Sequence, residues 1–146
     1  MYPIFFCYRQ AVELMLKAIM MNCLLPFNQP RTKEDDELLR KGIHSHYLQN
    51  LFEAIIARIK NQGYSDDYQT VLSELKPYID DFNEFDKGSF SMRYPADKEF
   101  EPVDCQNGLK GYDIQYTADH IKPMWSLLND LYSKTVADWS KGRFHT

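Results

Sequence analysis

The apolar residues of this chain fall into long runs at helical spacing, separated by short stretches of turn formers. The first run, residues 2–25, is made of good helix formers, with no Gly and no Pro beyond Pro3, a position that a first helical turn tolerates. Pro26 stops it. This predicted helix is apolar on nearly every side except for one stripe, Arg9, Glu13 and Lys17, whose spacing of four sets all three on one side over two turns. Asn28 and Pro30 mark a connection, after which Thr32 is placed to cap a short helix opening on Glu34, Asp35 and Asp36. That helix is expected to end at Gly42, a natural C-terminal stop.

A second long helix is predicted from about residue 45 to 61, with Leu48, Leu51, Phe52, Ile55, Ile56 and Ile59 on its buried face and Gly63 closing it. Ser65 or Asp66 can cap a third, whose inner positions are Tyr68, Val71, Leu72, Leu75, Tyr78, Ile79 and Phe82, kinked or broken near Pro77. From 89 to 116 the helical period disappears. Phe90, Met92 and Tyr94, then Tyr112, Ile114 and Tyr116, alternate as extended segments do, and a loop or small hairpin is expected, turning near Gln106-Asn107-Gly108. A last helix, about 118–139, turns Ile121, Trp125, Leu128, Leu131, Tyr132 and Val136 inward, with Pro123 in or near its first turn. The fold expected is all-α: a single domain, residues 1–146, forming an up-and-down bundle of four to five helices with an irregular or small β-hairpin insert before the last one.

Composition narrows the function classes. At 146 residues and 44% hydrophobic, with ten Tyr and nine Phe, the chain can bury a core without disulfides or metals, which excludes disorder. A formal net charge of −4 excludes a general nucleic-acid coat protein, so contact with phosphate needs a local basic pocket. Cys7, Cys23 and Cys105 are an odd set without zinc-ligand spacing, and Cys7 and Cys23 lie too far apart on one helix to bridge; a reducing compartment, the cytoplasm, is expected. The charges within residues 2–25 argue against a membrane span and against a signal peptide. Gly-rich phosphate loops, nucleophile elbows, zinc-protease helices and calcium loops are all missing from the sequence, and no metal or cofactor is expected.

Three constellations could carry chemistry. The stripe Arg9, Glu13, Lys17 is either an ion-pair network or the wall of a cleft or interface, because a helix so apolar must be buried centrally or shared with a partner chain. Gly42-Ile43-His44-Ser45-His46 sits at the mouth of the second long helix, where a His can cap, act as a base or meet a phosphate. Its two His alternate across a helix start without a third ligand, which argues against a metal. In Ser91-Met92-Arg93-Tyr94-Pro95 with Asp97, Arg93 is flanked by aromatics and stiffened by a following Pro: an anion clamp, or an Arg pairing with an acid on a neighbouring helix.

The stretch Tyr8-Arg9-Gln10-Ala11-Val12-Glu13-Leu14-Met15-Leu16-Lys17-Ala18, followed by Gly42-Ile43-His44-Ser45-His46-Tyr47-Leu48 with Leu51, resembles the opening helices of the HEPN superfamily. Phe90-Ser91-Met92-Arg93-Tyr94-Pro95-Ala96-Asp97 resembles the extended insert of an uncharacterised bacterial HEPN-like branch. Set against that family, the chain starts abruptly in its first helix, and a missing or very short N-terminal extension is expected. The resemblance implies a helical bundle, frequently a homodimer, in families tied to toxin–antitoxin pairs, phage defence and RNA cleavage. Active members place an Arg four to six residues before a His on a late helix. The last helix here has Asp119-His120 without such an Arg, whereas Arg40 and His46 meet the spacing across Gly42.

These readings converge on a HEPN-like dimeric module of bacterial defence or toxin–antitoxin type, binding RNA, a nucleotide, or an antitoxin or other defence-system protein. Its expected ligand-binding residues are Arg9, Glu13, Lys17, His44 and Tyr94. A second reading is a metal-independent ribonuclease with catalytic candidates His46, Arg40 and Arg93, a His serving as base at the 2′-hydroxyl and an Arg stabilising the phosphate. A third is a non-catalytic scaffold subunit whose first helix is an oligomer interface.

Overall fold

The computed structural model describes residues 2–24, 32–61, 66–85 and 114–141, and all of its regular structure among them is helical. Five helices follow in order: α1 Tyr2–Leu24, α2 Lys33–His44, α3 Leu48–Asn61, α4 Asp66–Phe85 and α5 Ile114–Ser140. None of the described helices is long and apolar enough to cross a membrane.

α1 is the centre of the packing, in contact with α2, α3 and α5, while α4 closes the bundle against α3 and α5. Side-chain contacts fix the directions. His46, just before α3, meets the first half of α1, and Arg58 near the end of α3 reaches the Cys23 carbonyl in the last turn of α1, so α1 and α3 run the same way. Tyr68 and Tyr78 of α4 meet Asp138 and His120 of α5, which makes that pair antiparallel. The chain therefore alternates up and down through five helices, and α2 is the return stroke that allows α1 and α3 to lie side by side in parallel.

The core follows the apolar period: Val12, Leu16, Ile19 and Met20 from α1, Leu48, Leu51, Phe52, Ile55 and Ile59 from α3, Leu72, Leu75, Ile79 and Phe82 from α4, and Met124, Leu128 and Leu131 from α5. Thr32 caps α2 as its sequence suggests: its hydroxyl accepts from the Asp35 amide while the Asp35 carboxylate accepts in return from the Thr32 backbone. Arg58 then ties this cap to the rest, pairing with Asp35 at 3.2 Å and donating to the Cys23 carbonyl that the end of α1 leaves unmatched.

Several boundaries depart from expectation. Gly42 does not stop α2; the helix runs through it to His44, and a Cβ there would lie 2.2 Å from the Met20 sulfur, so glycine serves a close approach of α2 to α1. α3 begins at Leu48, with residues 45–47 as a bare connector. α4 continues through Pro77. α5 begins at Ile114, so Ile114 and Tyr116, expected in extended backbone, are helical, and Pro123 lies well inside the helix instead of in its first turn. Both prolines sit on exposed positions, where water can take the backbone carbonyl each leaves unpaired. Tyr132, expected inside, is 37% exposed, whereas Met124 joins the buried face of α5. The rest of the expected hairpin, and its turn at 106–108, lie outside the described residues.

Candidate functional site

The polar stripe of α1 points inward. Arg9 and Glu13 are 0% and 1% exposed, among the most deeply buried side chains in the molecule. A helix as apolar as α1 was expected to be buried centrally or shared with a partner chain; it packs against α2, α3 and α5, with Arg9 and Glu13 of its charged row held to the connector leading into α3 and apolar residues left outside.

Glu13 is the hub. Its Oε2 accepts from Arg9 Nη1 at 2.9 Å, while its Oε1 accepts from Lys17 Nζ at 2.9 Å and lies 3.0 Å from His46 Nδ1. Arg9 also donates through Nη2 to the His46 backbone carbonyl. The connector between α2 and α3 is thus held to α1 twice, through the ring and through the carbonyl of one residue. Burial alone pushes the Glu13 carboxyl up, and this is the largest single influence; Lys17, His46 and Arg9 together outweigh it and hold the group below its ordinary value. Arg9 and Lys17 are two cations on one carboxylate, so the cluster has no shortage of positive charge.

The cluster opens toward solvent on one side. The Lys17 side chain is 16% exposed and that of His46 53%, against 1% for Arg9 and Glu13. With Nδ1 at Glu13 and the side chain 53% exposed, the His46 ring is an imidazole oriented by a buried carboxylate at the solvent edge. Such a ring can donate to a phosphate oxygen or exchange a proton with a ligand, and Lys17, bound to the same carboxylate oxygen, supplies the neighbouring positive charge.

Of the eight residues singled out in the sequence, four meet: Arg9, Glu13, Lys17 and His46. Arg40 and His44 are exposed on α2 and make no described contact with the cluster; the charge of Arg40 acts instead on Glu37, one turn earlier on its own helix. The formal Arg40–His46 spacing therefore does not form a described pair. Arg93 and Tyr94 lie outside the described residues. No group of three or more potential metal ligands exists among the described residues.

Sequence reasoning missed two polar contacts at the far end of the bundle. Tyr68 donates to Asp138 at 2.8 Å across the buried α4–α5 contact, and Asn22 donates to Thr135 at 3.2 Å. The signal for the first was Asp138 inside an otherwise apolar stretch of α5, but nothing in the sequence names its partner. A shallow groove of about 500 Å3 between α4 and α5, lined by Glu74, Pro77, Tyr78, Pro123, Ser126 and Leu127, contains none of the expected site residues.

The architecture places the chain among helical bundles with a buried ionic hub. The chain matches no family model, no curated protein and no solved structure.

Proposed function

We propose that this chain is a HEPN-like helical module of bacterial defence or toxin–antitoxin systems, working as a homodimer and binding a phosphate-bearing ligand, RNA or nucleotide, at the solvent edge of the Glu13 cluster. The observation that carries the reading is the convergence of Arg9, Glu13 and Lys17 with His46, distant in sequence, on one carboxylate. These are residues on which the family resemblance rests. The cluster supports binding more directly than catalysis: Arg9 is committed to Glu13 and to the His46 carbonyl, so the arginine that would stabilise a pentavalent phosphate is not among the residues at the open edge. An antitoxin or other defence-system protein is the alternative partner for the same edge.

One observation favours a second reading, the metal-independent ribonuclease. A half-exposed His whose Nδ1 is held by a buried carboxylate has the arrangement of a general base, and Lys17, bound to the same carboxylate oxygen, stands beside it. One experiment separates the two. Purified protein is titrated with fluorescent single-stranded and structured RNA and with ATP, and each mixture is then assayed for cleavage, using wild type, Lys17→Ala and His46→Ala. The binding reading expects both substitutions to weaken association without RNA being cut. Cleavage by wild type and not by His46→Ala establishes the ribonuclease instead. Association that both substitutions leave unchanged, or no association by wild type, overturns the site.

A further inference from the structure

His46 is held at its Nδ1, and the atom that holds it dictates where its proton sits. Oε1 of Glu13 lies 3.0 Å from Nδ1 and also accepts from Lys17 Nζ at 2.9 Å. The Glu13 carboxyl is kept below its ordinary value of 4.5, so near neutral pH it is ionised and offers acceptors only. The hydrogen between Oε1 and Nδ1 therefore belongs to the imidazole. A neutral imidazole carries one ring N–H, so Nε2 is left with a lone pair; only the imidazolium has a hydrogen on both nitrogens. Among the described residues Nε2 has no partner, and the side chain is 53% exposed, within reach of a ligand at the open edge.

We infer that the site takes up a phosphate and a proton together, His46 donating to the anion through Nε2 only as the imidazolium. The inference rests on the phosphate-binding reading above and adds its dependence on pH. With His46 neutral, a phosphate oxygen at Nε2 would meet a lone pair, and Lys17 would be left to bind the anion without it. Protonation turns the same atom into a charge-assisted donor beside Lys17. The bound anion in turn favours the charged ring, so affinity is highest below the imidazole titration and falls as pH rises through it. The other groups around the ring leave this logic in place. From α1 it meets Glu13, with Lys17 on the same oxygen and Arg9 on the His46 carbonyl. Lys41 and His44 on α2, Tyr47 on the connector and Glu53 on α3 are exposed and make no described contact with it. General-base chemistry requires the opposite state, an unprotonated Nε2. Anion binding therefore strengthens toward acid, and base catalysis toward alkali.

Isothermal titration calorimetry of the full chain with a short oligouridylate lacking terminal phosphates tests this from about pH 5.5 to about pH 8, a range in which neither the bases nor the diesters of that ligand titrate. Wild type is expected to bind about ten-fold or more tightly at the acid end. Heats in buffers of different ionisation enthalpy should show uptake of up to about one proton per ligand near neutral pH. His46→Gln keeps an amide donor without a titration and should lose the pH dependence. Proton NMR gives a direct reading: the His46 ring signals, assigned by their absence from His46→Gln spectra, should titrate at higher pH when ligand is bound. Wild-type affinity that is flat or rises with pH, or His46 signals whose titration ligand leaves unmoved, overturns the coupling; the phosphate site survives that result if Lys17→Ala still weakens binding. No association at any pH overturns the phosphate reading and the inference with it.

Discussion

Replacing Glu13 by Gln keeps the shape of the side chain and removes its charge, which isolates what the hub contributes. In the wild type the carboxylate accepts from Arg9 at 2.9 Å and from Lys17 at 2.9 Å, and meets His46 at 3.0 Å, while being 1% exposed. The amide of the variant would offer one acceptor and present a donor to groups that are themselves donors, and Arg9, at 0% exposure, would lose the counter-charge beside it. Breaking one side of a buried pair in this way costs about 3–5 kcal/mol. For 146 residues, the entropy of unfolding translates each kcal/mol into about 3 °C, so the melting temperature should fall by about 10–15 °C at pH 7. The pH dependence gives an independent check. The folded-state carboxyl is held below its ordinary value of 4.5, so its stabilising contribution is complete above that pH and is lost as pH falls below 4.5 through the folded value. Melts followed by circular dichroism from pH 7 to pH 3 should show wild type and Glu13→Gln converging at the acid end. A double variant, Arg9→Met/Glu13→Leu, removes both charges together and should lose less than Glu13→Gln alone, because the buried cation goes with its carboxylate. A Glu13→Gln melt within about 3 °C of wild type, or a gap between the two proteins that does not narrow with acid, would refute the hub as a structural clamp.

Three further outcomes follow from the rest of the polar core. Burial is the main force holding the Cys23 thiol protonated, pushing it up to about 12 against the pull of Arg58 and with Asp138 adding to the rise, so Cys23 should resist Ellman's reagent in the native protein while the exposed Cys7 reacts. The same shift makes stability fall as pH rises above the ordinary thiol value of 9.0, and Cys23→Ala should remove that part of the alkaline loss, as read by urea melts between pH 8 and pH 10.5. Tyr68→Phe removes a 2.8 Å hydrogen bond to a carboxylate that is 8% exposed and should cost about 1.5–3 kcal/mol in urea unfolding; a cost under about 0.5 kcal/mol would mean that Asp138 is satisfied without Tyr68.

By itself the sequence determined the helices and most of the core. Leu51, Ile55 and Ile59 repeat at spacings that only a helix brings to one side, and they are buried where that spacing puts them. The Thr32 cap was legible for the same reason: its chemistry acts within four residues. What distant segments do to one another was not legible. The stripe Arg9, Glu13, Lys17 could be read as a row, but which way it faces depended on α3 passing beside it and on a connector that puts His46 against Glu13, 33 residues away. Gly42 reads as a stop in isolation; only the approach of Met20 makes it an interior residue of α2. Pro123 reads as a first-turn residue because nothing local reveals that α5 starts earlier, at Ile114. A periodic pattern identifies the face a helix will bury when its charges mark the outside, but the single charged stripe of α1 marks the inside. Tertiary packing then chose to enclose the charges, where they satisfy one another at short range in a low dielectric, and to leave Leu14 and Met21 outside.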